Sequence, residues 1–208
     1  MKNVIRGRRT TVLASSHERI REAAKSLFAK EGYETATTAD ICRLAGTSQS
    51  QLIKHFTGKQ GVLEAIFENA WEQVNPAIRL AVEKVTSPAE KLKLVADMVL
   101  SFFEKDHELR AIFLLEARRM RGDGHLIVYV PGYLEFVKML DEIVQALATE
   151  GHLSPQIHPH ALRSALMGAF EGLLRDRMLA RRSHVPAGYS EEDMRAMIFR
   201  ILACCLTT

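Results

Sequence analysis

Gln49, Ser50, Gln51, Lys54 and His55 place five hydrogen-bonding side chains within seven consecutive positions. They do not form a nucleophile with its base, nor a metal set. The chemistry they offer is recognition. A primary amide donates and accepts side by side, as the exposed edge of adenine requires, and a cation suits a phosphate. Leu52 and Phe56 lie between them at i and i+4, so the segment reads as one short helix with an apolar inner side and a polar outer side.

That helix needs a partner to hold it. Thr37 is a good N-cap, and Asp40 stands where it can reach back to close a capping box. Ile41, Leu44 and Ala45 follow as an apolar face. Gly46 ends this preceding helix, since glycine takes the left-handed conformation found past helix ends. Ser48 caps the polar helix. Two short helices joined in this way have the layout of a helix-turn-helix, whose polar outer face enters a DNA groove. The bland alternative is a helical hairpin with an ordinary solvated face.

The charge distribution bears on that choice. The chain has 208 residues, 47% hydrophobic and 25% charged, with a net charge of +3. The composition is that of an ordinary globular protein. The first 60 residues hold 11 Lys and Arg against 5 Asp and Glu, whereas the rest hold 17 against 20. A basic end on a slightly acidic body is the footprint of double-stranded DNA as a partner. Lys2, Arg6, Arg8 and Arg9 read as a basic arm reaching phosphates or the minor groove, with an uncontacted tail as the alternative. No apolar run approaches the roughly 20 residues that span a bilayer, and no membrane partner is expected. The opening MKNVIRGRRTTVLASS lacks the apolar stretch of a secretory leader. Three cysteines without ligand spacing fit a reducing cytoplasm.

Around these elements the chain reads as helix after helix, so the fold class is all-α, with about nine helices. The first starts near Ser15 or Ser16, carries Ile20, Ala23, Ala24, Leu27 and Phe28 on one stripe, and stops at Gly32. Helices 2 and 3 are those above. A long fourth helix carries Leu63, Ile66, Phe67, Ala70, Trp71 and Val74, with Pro76 near its end. The fifth starts at Ser87-Pro88-Ala89-Glu90, with a cap, a first-turn proline and a capping-box glutamate. The sixth runs from about His107 to Met120. The seventh runs from about Pro131 to Glu150, with Leu134, Val137, Leu140, Ile143, Val144 and Leu147 buried. The eighth spans about Pro159 to Arg182. The ninth starts at Ser190 with Asp193, its stripe made of Met194, Met197, Ile198, Ile201, Leu202 and Cys205.

Several spaced matches in the first third carry a resemblance: AAxxLFxxxGY at 23–33, TxxDI at 37–41, AG at 45–46 and LxxHFxxK at 52–59. This stretch resembles the DNA-binding domain of the tetracycline-repressor (TetR) family of bacterial regulators. The resemblance implies a three-helix helix-turn-helix domain with its basic arm at 1–60, and a helical ligand-binding and dimerisation domain at 61–208. It makes the third helix the recognition helix, with Ser48, Gln49, Ser50, Gln51 and Lys54 at the DNA. It places His55, Lys59, Thr37 and Thr38 at phosphates. Where the family usually has tyrosine, this chain has Ile53, which can offer apolar contact to a thymine methyl but no phosphate bond.

Beyond the DNA end no catalytic constellation or glycine-rich phosphate loop is present, and neither cofactor nor metal is expected. His152, His158 and His160 lie close in sequence, where a solvated loop is the plainer reading than a metal site. Phe67, Trp71, Met98, Phe102, Phe113, Phe136, Met167 and Phe170 could be plain core or the lining of a pocket. Glu116, Arg118, Arg119, Tyr133, Glu171 and Arg175 are polar candidates to orient a small apolar effector there. Glu171 stands out on a mostly apolar helix. Ala165, Gly168, Ala169 and Gly172 would let another helix approach closely, whether within the chain or across a homodimer formed through helices 8 and 9. The reading is a homodimeric repressor released from a palindromic operator by an apolar ligand. The alternatives are a small-molecule-binding protein or enzyme with an incidental basic N-terminus, and a DNA-binding dimer without effector.

Overall fold

A computed structural model describes residues 14–120, 122–183 and 188–206, with the backbone alone for 181–183. Arg6, Arg8 and Arg9 lie outside the described residues. Nine helices account for the described architecture: α1 (Ser16–Glu31), α2 (Thr38–Ala45), α3 (Gln49–Phe56), α4 (Lys59–Val82), α5 (Pro88–Lys105), α6 (His107–Glu116), α7 (Pro131–Thr149), α8 (Pro159–Ser183) and α9 (Glu191–Cys205). Among the described residues there is no strand, only isolated antiparallel bridges between Met120 and Leu126 and between Leu153 and Leu206. The fold is all-α.

Local chemistry sets most boundaries. Ser15 and Glu18 form a complete capping box on α1, as Ser190 and Asp193 do on α9. Gly46 closes α2 at φ +61°, in the left-handed region. Gly61 is required by a close approach, because a Cβ there would fall 1.7 Å from the Phe56 carbonyl oxygen. The first turn of α4 therefore seats directly on the end of α3.

Some boundaries and faces differ from the sequence reading. The fourth helix does not end near Pro76 but continues to Val82. Proline there has no N–H to give the carbonyl of residue 72, yet Ile78 beyond it is fully buried and anchors the continuation. The sixth helix ends at Glu116 rather than Met120. Backbone N–H groups of Ile127 and Val128 bond the carbonyls of Arg119 and Ala117, turning the chain there. Leu44, Leu134 and Met197, expected inside, are exposed. On a helix of 3.6 residues per turn, Leu44 lies roughly 100° from the mean direction of Ile41, Cys42 and Ala45. Leu134 lies roughly 160° from Phe136.

Packing follows from these faces. α1 touches α2, α3, α4 and α6, while α4 runs on to meet α5 and α7. α8 packs on α6, α7 and α9, and α9 closes back on α5. α7 docks tightly on α4. The Gly132 N–H donates to Glu68 Oε2 at 2.9 Å, and Asn75 Nδ2 donates to the Gly132 carbonyl at 2.9 Å. A Cβ on Gly132 would come 2.6 Å from the Trp71 Cβ.

Candidate nucleic-acid interface and internal cavity

The first feature is the DNA-facing end, built by α2, α3 and the turn between them. Ser48 Oγ accepts from the Gln51 N–H at 3.3 Å and starts α3. Gln49, Ser50, Gln51, Ile53 and Lys54 are then exposed, while Leu52 and Phe56 are buried against the rest. Three residues separate α2 from α3. At the start of α2, Thr37 Oγ1 accepts from the Asp40 N–H at 3.1 Å and donates to Asp40 Oδ2 at 2.6 Å. Asp40 thus reaches back to Thr37 as expected, chiefly through the hydroxyl and also toward the backbone N–H. Thr37 is exposed and Thr38 half-buried, at a helix N-terminus whose free N–H groups suit a phosphate. Arg19, which the sequence did not single out, donates from Nε to the Ala45 carbonyl at 3.0 Å and ties the end of α2 to α1.

Two residues assigned to phosphates are engaged inside the protein. His55 is half-buried, with Nε2 2.9 Å from Ser16 Oγ. Lys59 Nζ donates to the carbonyls of Tyr33 at 2.7 Å, Ala36 at 3.0 Å and Glu34 at 3.3 Å. It also lies 4.3 Å from the centre of the Tyr33 ring. These three bonds occupy the donors of the ammonium, so Lys59 joins α4 to the turn before α2 instead of standing free.

The second feature is an apolar cavity of about 80 Å³ lined by residues of α4, α5, α6, α7, α8 and α9. Of the residues anticipated for a pocket, Trp71, Phe113, Tyr133, Phe136, Met167, Phe170 and Glu171 line it. Phe67, Met98, Phe102, Glu116 and Arg175 do not. Phe67 is wholly buried in the core, and Phe102 borders a separate cleft beside α1. Glu116 is paired with Arg119 Nε at 2.9 Å, and Arg175 donates to the Leu114 carbonyl. The sequence reading looked to Met98 and Phe102 on α5, where Val95 and Val99 face the cavity instead, and missed α9, which adds Ile198, Phe199 and Leu202. Their helical stripes were legible as core, but nothing local says that α9 folds back over α5.

A run of polar contacts joins the two ends. Lys25 of α1 donates to Asp106 Oδ2 at 3.0 Å, and Ser26 to Glu108 Oε1 at 3.0 Å, pinning α1 to the start of α6. At the other end of α6 two adjacent arginines diverge. Arg118 bonds Glu171 on the cavity wall through Nε at 3.0 Å and Nη2 at 2.7 Å. Arg119 pairs with Glu34 and lies 4.6 Å from the centre of the Tyr33 ring. Among the described residues no three His, Cys, Asp or Glu side chains come together to hold a metal. No described helix is long and apolar enough to cross a membrane.

An exposed polar helix, set on a three-helix body just past a helix that ends in a left-handed glycine, defines a helix-turn-helix DNA-binding protein. Residues 20–66 match the family described as bacterial regulatory proteins, tetR family. The chain is a TetR-family transcriptional regulator. It is similar to the HTH-type transcriptional regulator UidR of Escherichia coli K12, at 26% identity over 88% of this chain and 91% of that one. Its fold is similar to that of the fatty acid degradation regulator FadR from Bacillus halodurans, with a TM-score of 0.78, 20% identity, and coverage of 91% and 95% of the two chains. It is also similar to FadR from Bacillus subtilis, solved in complex with stearoyl-CoA, with a TM-score of 0.77, 19% identity and coverage of 89% and 97%.

Proposed function

We propose that this regulator is a cytoplasmic homodimeric repressor that leaves a palindromic operator when a small apolar ligand fills the cavity. The DNA-binding domain comprises residues 1–60 and the ligand-binding and dimerisation domain residues 61–208, with α4 as their continuous link. The observation that carries the reading is α6, which holds the cavity wall through Arg118 and the DNA end through Lys25, Ser26 and Arg119. The cavity is smaller than the roughly 150 Å³ cavity that admits benzene in an engineered core, so any larger occupant must part the helices. Parting them moves α6, and α6 takes α1 with it. The ligand thereby favours a spacing of recognition helices that no longer fits the operator. An apolar occupant is in keeping with the acyl chain of the stearoyl-CoA bound to the Bacillus subtilis relative.

Dimerisation is supported by the outer face of α8. Ala161, Ala165, Gly168, Gly172 and Leu179 are all exposed and recur at helical spacing on one side, and nothing within the described residues lies within 4 Å of a Cβ placed on either glycine. On α9, Met197, Ala203 and Cys204 are exposed as well. A helix with such a stripe accepts a close neighbour, here the second copy.

The test is a gel-shift on the DNA upstream of the protein's own gene, with the oligomeric state measured by sedimentation. The expected result is dimer binding to two half-sites about one helical turn apart or slightly more, with affinity falling steeply as salt rises. A flat salt dependence, or tight monomer binding to one half-site, overturns the reading.

A further inference from the structure

The cavity is bounded unevenly. All the wall residues from α8, namely Arg163, Leu166, Met167, Phe170 and Glu171, are only half-buried. Of the wall residues from other helices, only Ala96, Tyr133 and Phe199 are. Tyr133 of α7 and Arg163 and Glu171 of α8 are polar, yet the surface of the cavity is almost wholly apolar. Their polar ends therefore lead away from it, and each of these residues meets a partner there. Arg163 Nε donates to Asp141 Oδ1 of α7 at 2.8 Å. Glu171 Oε2 accepts from Arg118 Nε at 3.0 Å and Nη2 at 2.7 Å, and the Arg118 side chain is 65% exposed. The Tyr133 ring stacks on that of Tyr129, which is exposed, with centres 5.9 Å apart. These groups form one cluster. Burial and then the charge of Glu171 push the Tyr133 pKa up to about 12, while Arg118 and Arg163 pull it the other way.

We propose that the seam between α7 and α8, closed on its outer side by Arg118, Asp141 and Tyr129, is the entrance through which a ligand reaches the cavity. The proposal names the route into the effector site argued above and rests on that reading for its purpose. Ion pairs that are partly exposed add little stability, because water competes for both charges. Parting α7 from α8 therefore first frees groups that water solvates. The seam where α9 meets α5 also carries an ion pair, Arg195 Nη2 with Glu104 Oε2 at 2.9 Å. Behind that pair, however, Ile198 and Leu202 are buried with Leu92 and Val95 of α5, and the half-buried Ala96 and Phe199 are apolar too. Opening that side exposes hydrocarbon at once, which costs more. Local opening favours the region with the fewest buried apolar contacts. Arg163 and Glu171 do not belong to the α8 stripe assigned above to the second copy.

The test reads access to the cavity directly. The chain has one tryptophan, Trp71, which lines the cavity and is 4% exposed. Quenching of its fluorescence by acrylamide, a small uncharged molecule, therefore reports how often the wall opens to solvent. In the full-length protein, Arg118→Met and Arg163→Met should each raise the quenching rate constant roughly two- to fivefold, which is what a partly exposed ion pair is worth in an opening equilibrium. The double variant should exceed either. Methionine keeps an apolar stem in place of each arginine. Arg118 is exposed, so its variant folds even where Arg163→Met does not, and it decides the matter alone. Arg195→Met, which cuts the pairs between α5 and α9, should leave quenching at the parental rate. If the seam variants quench like the parent, or if Arg195→Met gains as much as they do, the entrance is not at this seam. No effector enters the measurement. A gain in the seam variants therefore stands even if the cavity proves not to be the effector site, and its absence leaves the effector reading intact with another route.

Discussion

Lys59 Nζ lies 2.7 Å from the carbonyl oxygen of Tyr33, and this bond fixes the start of α4 against the turn that leads into α2. The same amine reaches the carbonyls of Glu34 and Ala36 and rests over the Tyr33 ring. Lys59→Ala removes the donor and leaves carbonyls that were oriented toward it. It should lower stability by about 1–3 kcal/mol in the absence of DNA. Gln51→Ala should leave the Tm unchanged, because Gln51 is exposed, and instead relax specificity at particular base pairs by roughly 1–3 kcal/mol. Thermal melts of both variants, beside binding to an operator library, check this. A Lys59→Ala protein that melts like the parent would refute the joining role.

Ile53 offers a sharper separation of fold from recognition. It is 56% exposed, so its side chain has left the core. Ile53→Tyr should therefore fold with an unchanged Tm, avoiding the overpacking cost of a buried site. The new hydroxyl should tighten DNA binding modestly and with little sequence preference, through a phosphate oxygen. A clear fall in Tm, or a gain confined to a few base pairs, would contradict this.

These two residues mark how far the sequence could be read. The caps at Ser15, Thr37 and Ser48 and the turn at Gly46 are local signals, and the helices that they bound were legible from them. The outward set on α3 was legible too, because Leu52 and Phe56 fix its inner side. Lys59 was not legible as a joining residue, since its partners lie more than 20 positions earlier and face it only after α4 packs on α1. The cavity was half legible for the same reason. Its aromatic residues on α4 and α7 could be singled out, whereas the wall from α9 depends on a long-range return of the chain. Pro76 misled because its cost to a helix is local, while the burial of Ile78 that outweighs it is tertiary.

The α1–α3 contact should respond to acid. His17 lies against the Phe56 ring at 4.4 Å and faces His55 at 5.6 Å. Burial first, then the charges of Arg21 and His55, hold its pKa below the usual 6.5. In the unfolded chain the imidazole is protonated more readily, so acid favours unfolding. The contribution is fully present above a pH of about 6.5 and is lost as pH falls through that value toward the lower folded pKa. The Tm should decline over this range, and His17→Gln should flatten the decline. An equally steep decline in the variant would remove His17 as its source.

The linkage through α6 makes the last prediction. Arg118 and Arg119 are neighbours in the chain, yet one bonds the cavity wall at Glu171 and the other bonds Glu34 and covers Tyr33 beside the DNA-binding helices. If occupancy of the cavity is conveyed along this path, Arg119→Ala should leave Trp71 fluorescence changes on ligand binding intact. It should also leave operator affinity in the absence of ligand near that of the parent, since Lys59 still holds the Tyr33 turn. What should fall is the effect of one on the other. Coupling between sites is typically about 1–3 kcal/mol, a change in operator affinity of roughly 5- to 150-fold. The variant should lose much of that factor. Lys25→Met, which cuts the ion pair to Asp106 at the opposite end of α6, should reduce it as well. The coupling is reciprocal, so the measurement can be made from either side, as the shift in ligand affinity when operator is present or as the shift in operator affinity when ligand is present. Unchanged coupling in both variants would show that the signal does not pass through α6.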